Sequence, residues 1–192
     1  MGRIRLLLVL VLSAALVFGA TAFWRFWFLL PYPVAVDCQG KEIDVETVRQ
    51  WEEREARRTG ALGICGIAGW TIGTEQQIVS VSTGRKGMAR IMKVYGSMEL
   101  AGQGELVCGR YGLPVEGDFC VITEGLAREL YGSSQVLGEQ VRAGKHRMTV
   151  AGVTRGKEKI LLMPMEEGVI RQLAVEVKGR SQARERVERM ME

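Results

Sequence analysis

Few residues in this chain of 192 are of types that do chemistry. The candidates are four cysteines (Cys38, Cys65, Cys108 and Cys120), a single histidine (His146), and a carboxylate-rich stretch with Glu116, Asp118 and Glu124. A zinc site draws three or four Cys, His or carboxylate ligands from close spacings such as C-x-x-C. No C-x-x-C occurs and His146 stands alone, so no such set is expected. His146 lies between Lys145 and Arg147 and reads as a solvated surface residue, because a general base needs an orienting partner. Cys120 sits in an apolar run, where a thiol is inert unless positive charge lowers its pKa. Glu116, Asp118 and Glu124 have the residue types of a glycosidase pair, but acidic loops are ordinarily solvated. Gly102-Gln103-Gly104 is too short for a dinucleotide loop and does not open a helix after a strand. G-x-S-x-G, Walker A and H-E-x-x-H patterns are absent. No catalytic, cofactor-binding or metal residue is assigned, and an enzyme is not expected.

The charge distribution narrows the setting. The chain holds 26 Lys+Arg against 22 Asp+Glu, a net +4. Residues 1–30 contain Arg3, Arg5 and Arg25 and no acid, which leaves the rest at +1. A nucleic-acid binder usually shows a strongly basic domain, so nucleic acid is not an expected partner. Leu6 to Phe23 runs without a charge, about the length that spans a hydrocarbon core of roughly 30 Å. Trp24, Phe26, Trp27 and Phe28 suit an interfacial belt, and Pro31 and Pro33 end the helix. Arg3 and Arg5 place the amino terminus in the cytoplasm and the remainder outside. A cleaved signal peptide, with Ala20-Thr21-Ala22 as the processing site, is the rival reading. The expected organisation is a transmembrane anchor over 1–30, a linker over 31–43 and one extracytoplasmic domain over 44–192. In an oxidising compartment four cysteines allow three disulfide connectivities. Cys108 with Cys120 is the first pairing to test; four separate buried thiols are the alternative.

Within the exported part, a helix is expected from Asp44 to about Arg58, with Val45, Val48, Trp51 and Ala56 on one side and Gly60 as its cap. Strands are expected over 61–71, 77–83 and 89–95, with a turn at Gly84–Gly87. Phe119–Ile122 reads as a strand feeding a helix, Glu124–Tyr131, capped by Thr123 and ended by Gly132. Glu139–Ala143 and Arg147–Val153 read as a hairpin around Gly144-Lys145. Lys159–Met165 and Val169–Val177 read as a second antiparallel pair. Ser181 to Met191 closes as a helix with Ala183, Val187, Met190 and Met191 inward. Its outer face alternates Arg184, Glu185, Arg186, Glu188 and Arg189, either a docking surface or a salt-bridged solvated face. Together these give an α+β class with a mixed or antiparallel sheet covered by helices.

Phe119 to Val153 carries the most distinctive pattern. Val121-Ile122-Thr123, Ala127, Leu130-Tyr131-Gly132, Val136-Leu137-Gly138 and Val150-Ala151-Gly152-Val153 follow one another in it. Upstream, Leu106 to Gly109 precedes an acidic loop, Glu116-Gly117-Asp118. This arrangement resembles the extracytoplasmic (periplasmic core) domain of MacB-like, or FtsX-like, ABC transporter permeases. The resemblance implies a non-catalytic contact domain without a cofactor, partnered by an ABC ATPase and permease subunits at the membrane. It leaves homo- or hetero-oligomers open. After Val177 no apolar run of membrane-spanning length follows, so the later membrane helices of such a permease are expected to be missing here. A secreted or anchored cell-envelope binding protein using the same fold is the alternative.

Overall fold

The structure is a computed structural model and describes residues 30–38, 42–58, 62–102, 104–112 and 118–191. The expected span Leu6–Phe23 lies outside the described residues, as do Glu116 and Gly60. Among the described residues no helix is long and apolar enough to cross a membrane.

Eleven strands and three helices are described. β1 (Pro31–Asp37) and β2 (Ile43–Asp44) precede α1 (Val45–Arg57). β3 (Ile64–Ser80), β4 (Lys86–Gly96), β5 (Leu106–Gly109) and β6 (Phe119–Thr123) lead into α2 (Glu124–Tyr131). β7 (Gln140–Ala143), β8 (His146–Thr154), β9 (Ile160–Pro164), β10 (Val169–Ile170), β11 (Gln172–Lys178) and α3 (Ala183–Met191) follow. The large sheet runs β1-β11-β3-β4-β9-β6-β8-β5, while β10 pairs with β2 separately. Two of its pairings, β4 with β9 and β6 with β8, are parallel and the others antiparallel. The expected α+β class with a mixed sheet is what forms.

Apolar spacing explains each helix. α1 buries Val45, Val48 and Trp51, while its outer side carries ion pairs Arg49–Glu46 and Arg57–Glu53 at 2.9 and 3.2 Å. Ala56, expected inward, is exposed, and Glu55 takes the inward position instead. α2 buries Leu126, Ala127 and Leu130 and ends at Gly132, whose φ of 78° suits a residue without Cβ. Thr123 precedes α2 but makes no side-chain cap. Its hydroxyl donates to the Glu158 carbonyl at 2.5 Å and accepts the Ile160 N–H at 3.1 Å, tying β6 to β9. α3 buries Ala183, Val187 and Met190 against β1 and β11, with Met191 half-buried.

Three expectations about strands are corrected. The presumed linker 31–43 holds β1 and β2: Pro31 to Asp37 pairs with Lys178 to Gln172. Prolines fit there because β1 is an edge strand that needs few ladder donors. The two segments 61–71 and 77–83 are parts of one strand, β3, whose register shifts between Ile72 and Glu75. That extra residue exchanges parity, so Ile67 before it and Ile78 after it both face the side occupied by Ile91. The turn that follows is Val81 to Arg85, and Lys86 already belongs to β4. Finally, β9 does not pair with β10 or β11. It lies between β4 and β6, whereas β11 lies between β1 and β3. Both apolar runs suit central strands, and each has its two edges taken by other partners.

Three packed clusters fill the layers. α1, α3, β2 and β10 cover one half of the sheet, over Ile67, Leu173, Val175 and Val177. α2 covers the other half on the same side, over Ile78, Ile91, Cys120, Ile122 and Leu161. On the opposite face the segment holding Met98, Ala101 and Tyr111 covers Met92, Val94, Val121 and Leu162.

Candidate functional site

β7 decides the shape of the second half. It pairs with β3 through Ile78–Ala143 and with β8 through Ala143–His146. The strands β3, β4, β9, β6, β8 and β7 therefore close into a ring. Alternation sends Ala89, Ile91, Cys120, Val141, Met148, Val150 and Leu161 inward. α2 leaves the end of β6 directly and packs its apolar side on this interior. At the opposite end, where β6 and β8 begin, a groove of about 330 Å³ opens. Lys93, Asp118, His146, Met148, Met163, Glu166 and Glu167 contribute to its walls.

Two residues weighed from the sequence, Asp118 and His146, thus meet at one groove. Their companions Lys93, Glu166 and Glu167 come from β4 and the loop after β9, and no sequence spacing marks them. The groove can hold a polar group against thioether side chains. Among the described residues, no three His, Cys, Asp or Glu side chains are grouped to hold a metal ion. Glu124 lies elsewhere, on the surface of α2, with Arg128 at 2.5 Å.

The expected Cys108–Cys120 pairing does not form; both are free thiols. Cys108 in β5 is opposite Val153, and Cys120 in β6 is opposite Val150, so β8 lies between them. Two strand spacings put their Cα atoms at least about 9 Å apart, beyond the reach of a disulfide. Cys108 instead donates to the Ser134 carbonyl at 3.4 Å. Burial pushes the Cys120 thiol up to about 12, as expected for an inert core cysteine. Cys65 is exposed, with its S–H 3.6 Å from the Gly63 carbonyl.

A second polar feature, unmarked in the sequence, joins the helices. Glu55 is buried, and one of its carboxylate oxygens accepts the Leu62 N–H at 2.6 Å. Arg186 of α3 donates to the Leu62 carbonyl at 3.2 Å, and to those of Lys178 and Gly179 at 3.0 and 2.7 Å. The N–H and the C=O of one residue at the entry to β3, Leu62, are thus both held by side chains. The rest of α3 shows ion pairs on its exposed face, Arg184–Glu188 and Arg189–Glu185 at 3.3 and 3.8 Å. This matches the salt-bridged reading for Arg184, Glu185, Glu188 and Arg189, whereas Arg186, expected on the same face, turns inward to the main-chain carbonyls.

The ring, its plug and the helix-covered outer half fit one known domain type. Residues 32–191 match the family model described as the MacB-like periplasmic core domain, and the chain belongs to that family. No curated protein matches the sequence. Among solved structures, the fold is similar to the extracellular domain of the noncanonic ABC-type transporter YknZ from Gram-positive bacteria. That likeness has a TM-score of 0.58 and 13% identity, over 76% of this chain and 78% of that one. It is also similar to the periplasmic region of MacB from Actinobacillus actinomycetemcomitans. There the TM-score is 0.55 and the identity 15%, over 71% of this chain and 69% of that one. The resemblance seen in the Phe119–Val153 pattern therefore holds across the folded domain.

Proposed function

We propose that this chain is a membrane-anchored, extracytoplasmic contact domain of an ABC transporter permease-like protein. It does not catalyse a reaction, and it acts with an ATPase and with further membrane helices. The observation that carries the reading is the family match over residues 32–191, which takes in the whole described domain. The charge-free run Leu6–Phe23 immediately before it supplies the anchor, with the amino terminus in the cytoplasm. The domain then follows almost without a spacer, since β1 begins at Pro31. A relaying domain needs rigid elements and a contact surface more than a reactive group. The ring plugged by α2 and the stapled helices α1 and α3 supply that rigidity.

The test is affinity capture of the tagged full chain from membranes solubilised in mild detergent, after fractionation of the cells. We expect the chain in the membrane fraction, and an ABC ATPase or permease subunit in the eluate. Recovery of the chain in the cytosol, or an eluate without either subunit, would overturn the reading.

A further inference from the structure

The outer side of the ring carries a row of cations that the fold leaves uncompensated. In register, Lys86 on β4 is opposite Val79 on β3, Val79 is opposite Arg142 on β7, and Arg142 is opposite Arg147 on β8. All three cationic side chains are exposed. Alternation places them outward, because Gly87, Ala143 and Met148 beside them face the interior. Like charges directly opposite across antiparallel strands repel, with Cβ atoms about 5 Å apart. Several neighbouring cations are neutralised, as in Arg90–Glu158, Arg155–Glu105 and Lys159–Glu129. Among the described residues, Lys86, Arg142 and Arg147 form no ion pair. Arg147 is nevertheless held in place: its Nε donates to Gln140 Oε1 at 2.8 Å, and a second guanidinium N–H shares that oxygen. A fixed fork of this kind suits a carboxylate.

Resting on the reading of this domain as a contact domain, we propose that the row Lys86–Arg142–Arg147 docks an acidic, partly apolar segment of a partner protein. Charge complementarity selects an anion. The apolar residues select a polypeptide: Val79 lies between the cations, and Val81 and Met88 flank them at 43% and 45% exposure. A bare polyanion leaves these apolar residues in water, whereas a peptide with alternating acidic and apolar side chains covers them. Position argues against the chain's own membrane. Val79 lies near the far end of β3 from Ile64, and Ile64 pairs with Val177 beside the start of β1. Along the strand that distance is about 50 Å.

The experiment uses the purified full chain in detergent micelles and a fluorescein-labelled peptide of alternating Glu and Leu, followed by anisotropy. We expect saturable binding that weakens as salt rises. In the double variant Arg142→Gln/Arg147→Gln we expect it to weaken about tenfold or more. Lys86→Gln should weaken it as well, whereas Arg184→Gln, on the outer face of α3, should leave it unchanged. These arginines are exposed, so the variants should fold, which their thermal transitions will report. Equal binding by the double variant and the parent overturns the proposal. So does row-dependent binding of inorganic polyphosphate or phosphatidylglycerol vesicles without binding of the peptide. Affinity capture of transporter subunits by the parent chain is read separately. Its success alongside a failed peptide assay would remove the docking row and leave the contact-domain reading standing.

Discussion

At the scale of residues, the ionisable groups that burial perturbs all shift against the charged form. Tyr95 is pushed up to about 12, first by burial and then by the hydrogen bond its hydroxyl donates to Glu52 at 2.7 Å. Cys120 reaches about 12 through burial alone, and Tyr111 and Tyr131 are raised mainly by burial as well. In each case the folded protein holds its proton more tightly than the unfolded chain does. The stabilisation is full below the unfolded values, 9.0 for the thiol and 10.0 for the phenol, and is lost as pH rises through the folded ones. Urea midpoints measured from pH 8 to 12 should therefore fall above about pH 9. Tyr95→Phe should flatten the fall above pH 10, and a Tyr95→Phe curve superimposable on the parent would contradict this account.

At the scale of elements, the bulge in β8 carries a specific demand. Cys120 is opposite Val150 but Val121 is opposite Gly152, so Ala151 is the extra residue. The bulge brings β5 close: a Cβ on Gly152 would sit 2.5 Å from the Arg110 carbonyl oxygen and 3.2 Å from Leu106 Cδ2. The nearer obstacle is backbone and cannot rotate away. Gly152→Val should cost about 1–3 kcal/mol through overpacking and loosen β5 first. Hydrogen exchange should show lost protection at the Arg110 amide, which bonds the Ala151 carbonyl at 3.0 Å, before any loss in β4. Unchanged stability in this variant would mean that β5 does not pack as described. Gly152 thus combines a position next to a bulge with a close approach of backbone, and both favour a residue without Cβ.

At the scale of the whole molecule, β1 closes one edge of the sheet while β11 behind it is fully paired. Residues 31–37 shield Leu173, Val175 and Val177, which also carry α3. Without β1, the main-chain groups of β11 on that side become an open edge next to a long apolar strand, a known route to association. Deleting residues 31–37 while keeping the preceding segment should lower the melting temperature. It should also drive the chain into larger species, seen by light scattering in the same detergent. Monodisperse behaviour with an unchanged transition would show that the segment is the simple linker that its two prolines suggest.

Much of this was legible from local chemistry alone. The helix from Glu124 to Gly132, the hairpin around Gly144-Lys145 and the inward side of α3 follow from apolar spacing and turn residues, which act within a few positions of one another. The Phe119–Val153 pattern identified the family because those scaffold residues are contiguous. Where the apolar runs find their partners was decided only by tertiary structure. An edge strand hidden under Pro31 and Pro33, the joining of two segments into β3, and the separation of β9 from β11 all depend on which faces can be buried together. The same is true of the site features. Asp118, His146 and Lys93 come to line one groove, and Arg142 stands opposite Arg147 and in one row with Lys86, through strand register and ring closure. Glu55 becomes a buried staple because its carboxylate takes the Leu62 N–H, while Arg186 arrives from the far end of the chain to take the Leu62 carbonyl. Hydrogen-bonding edges and core volume are shared over the whole chain, so their assignment cannot be read from any one segment of it.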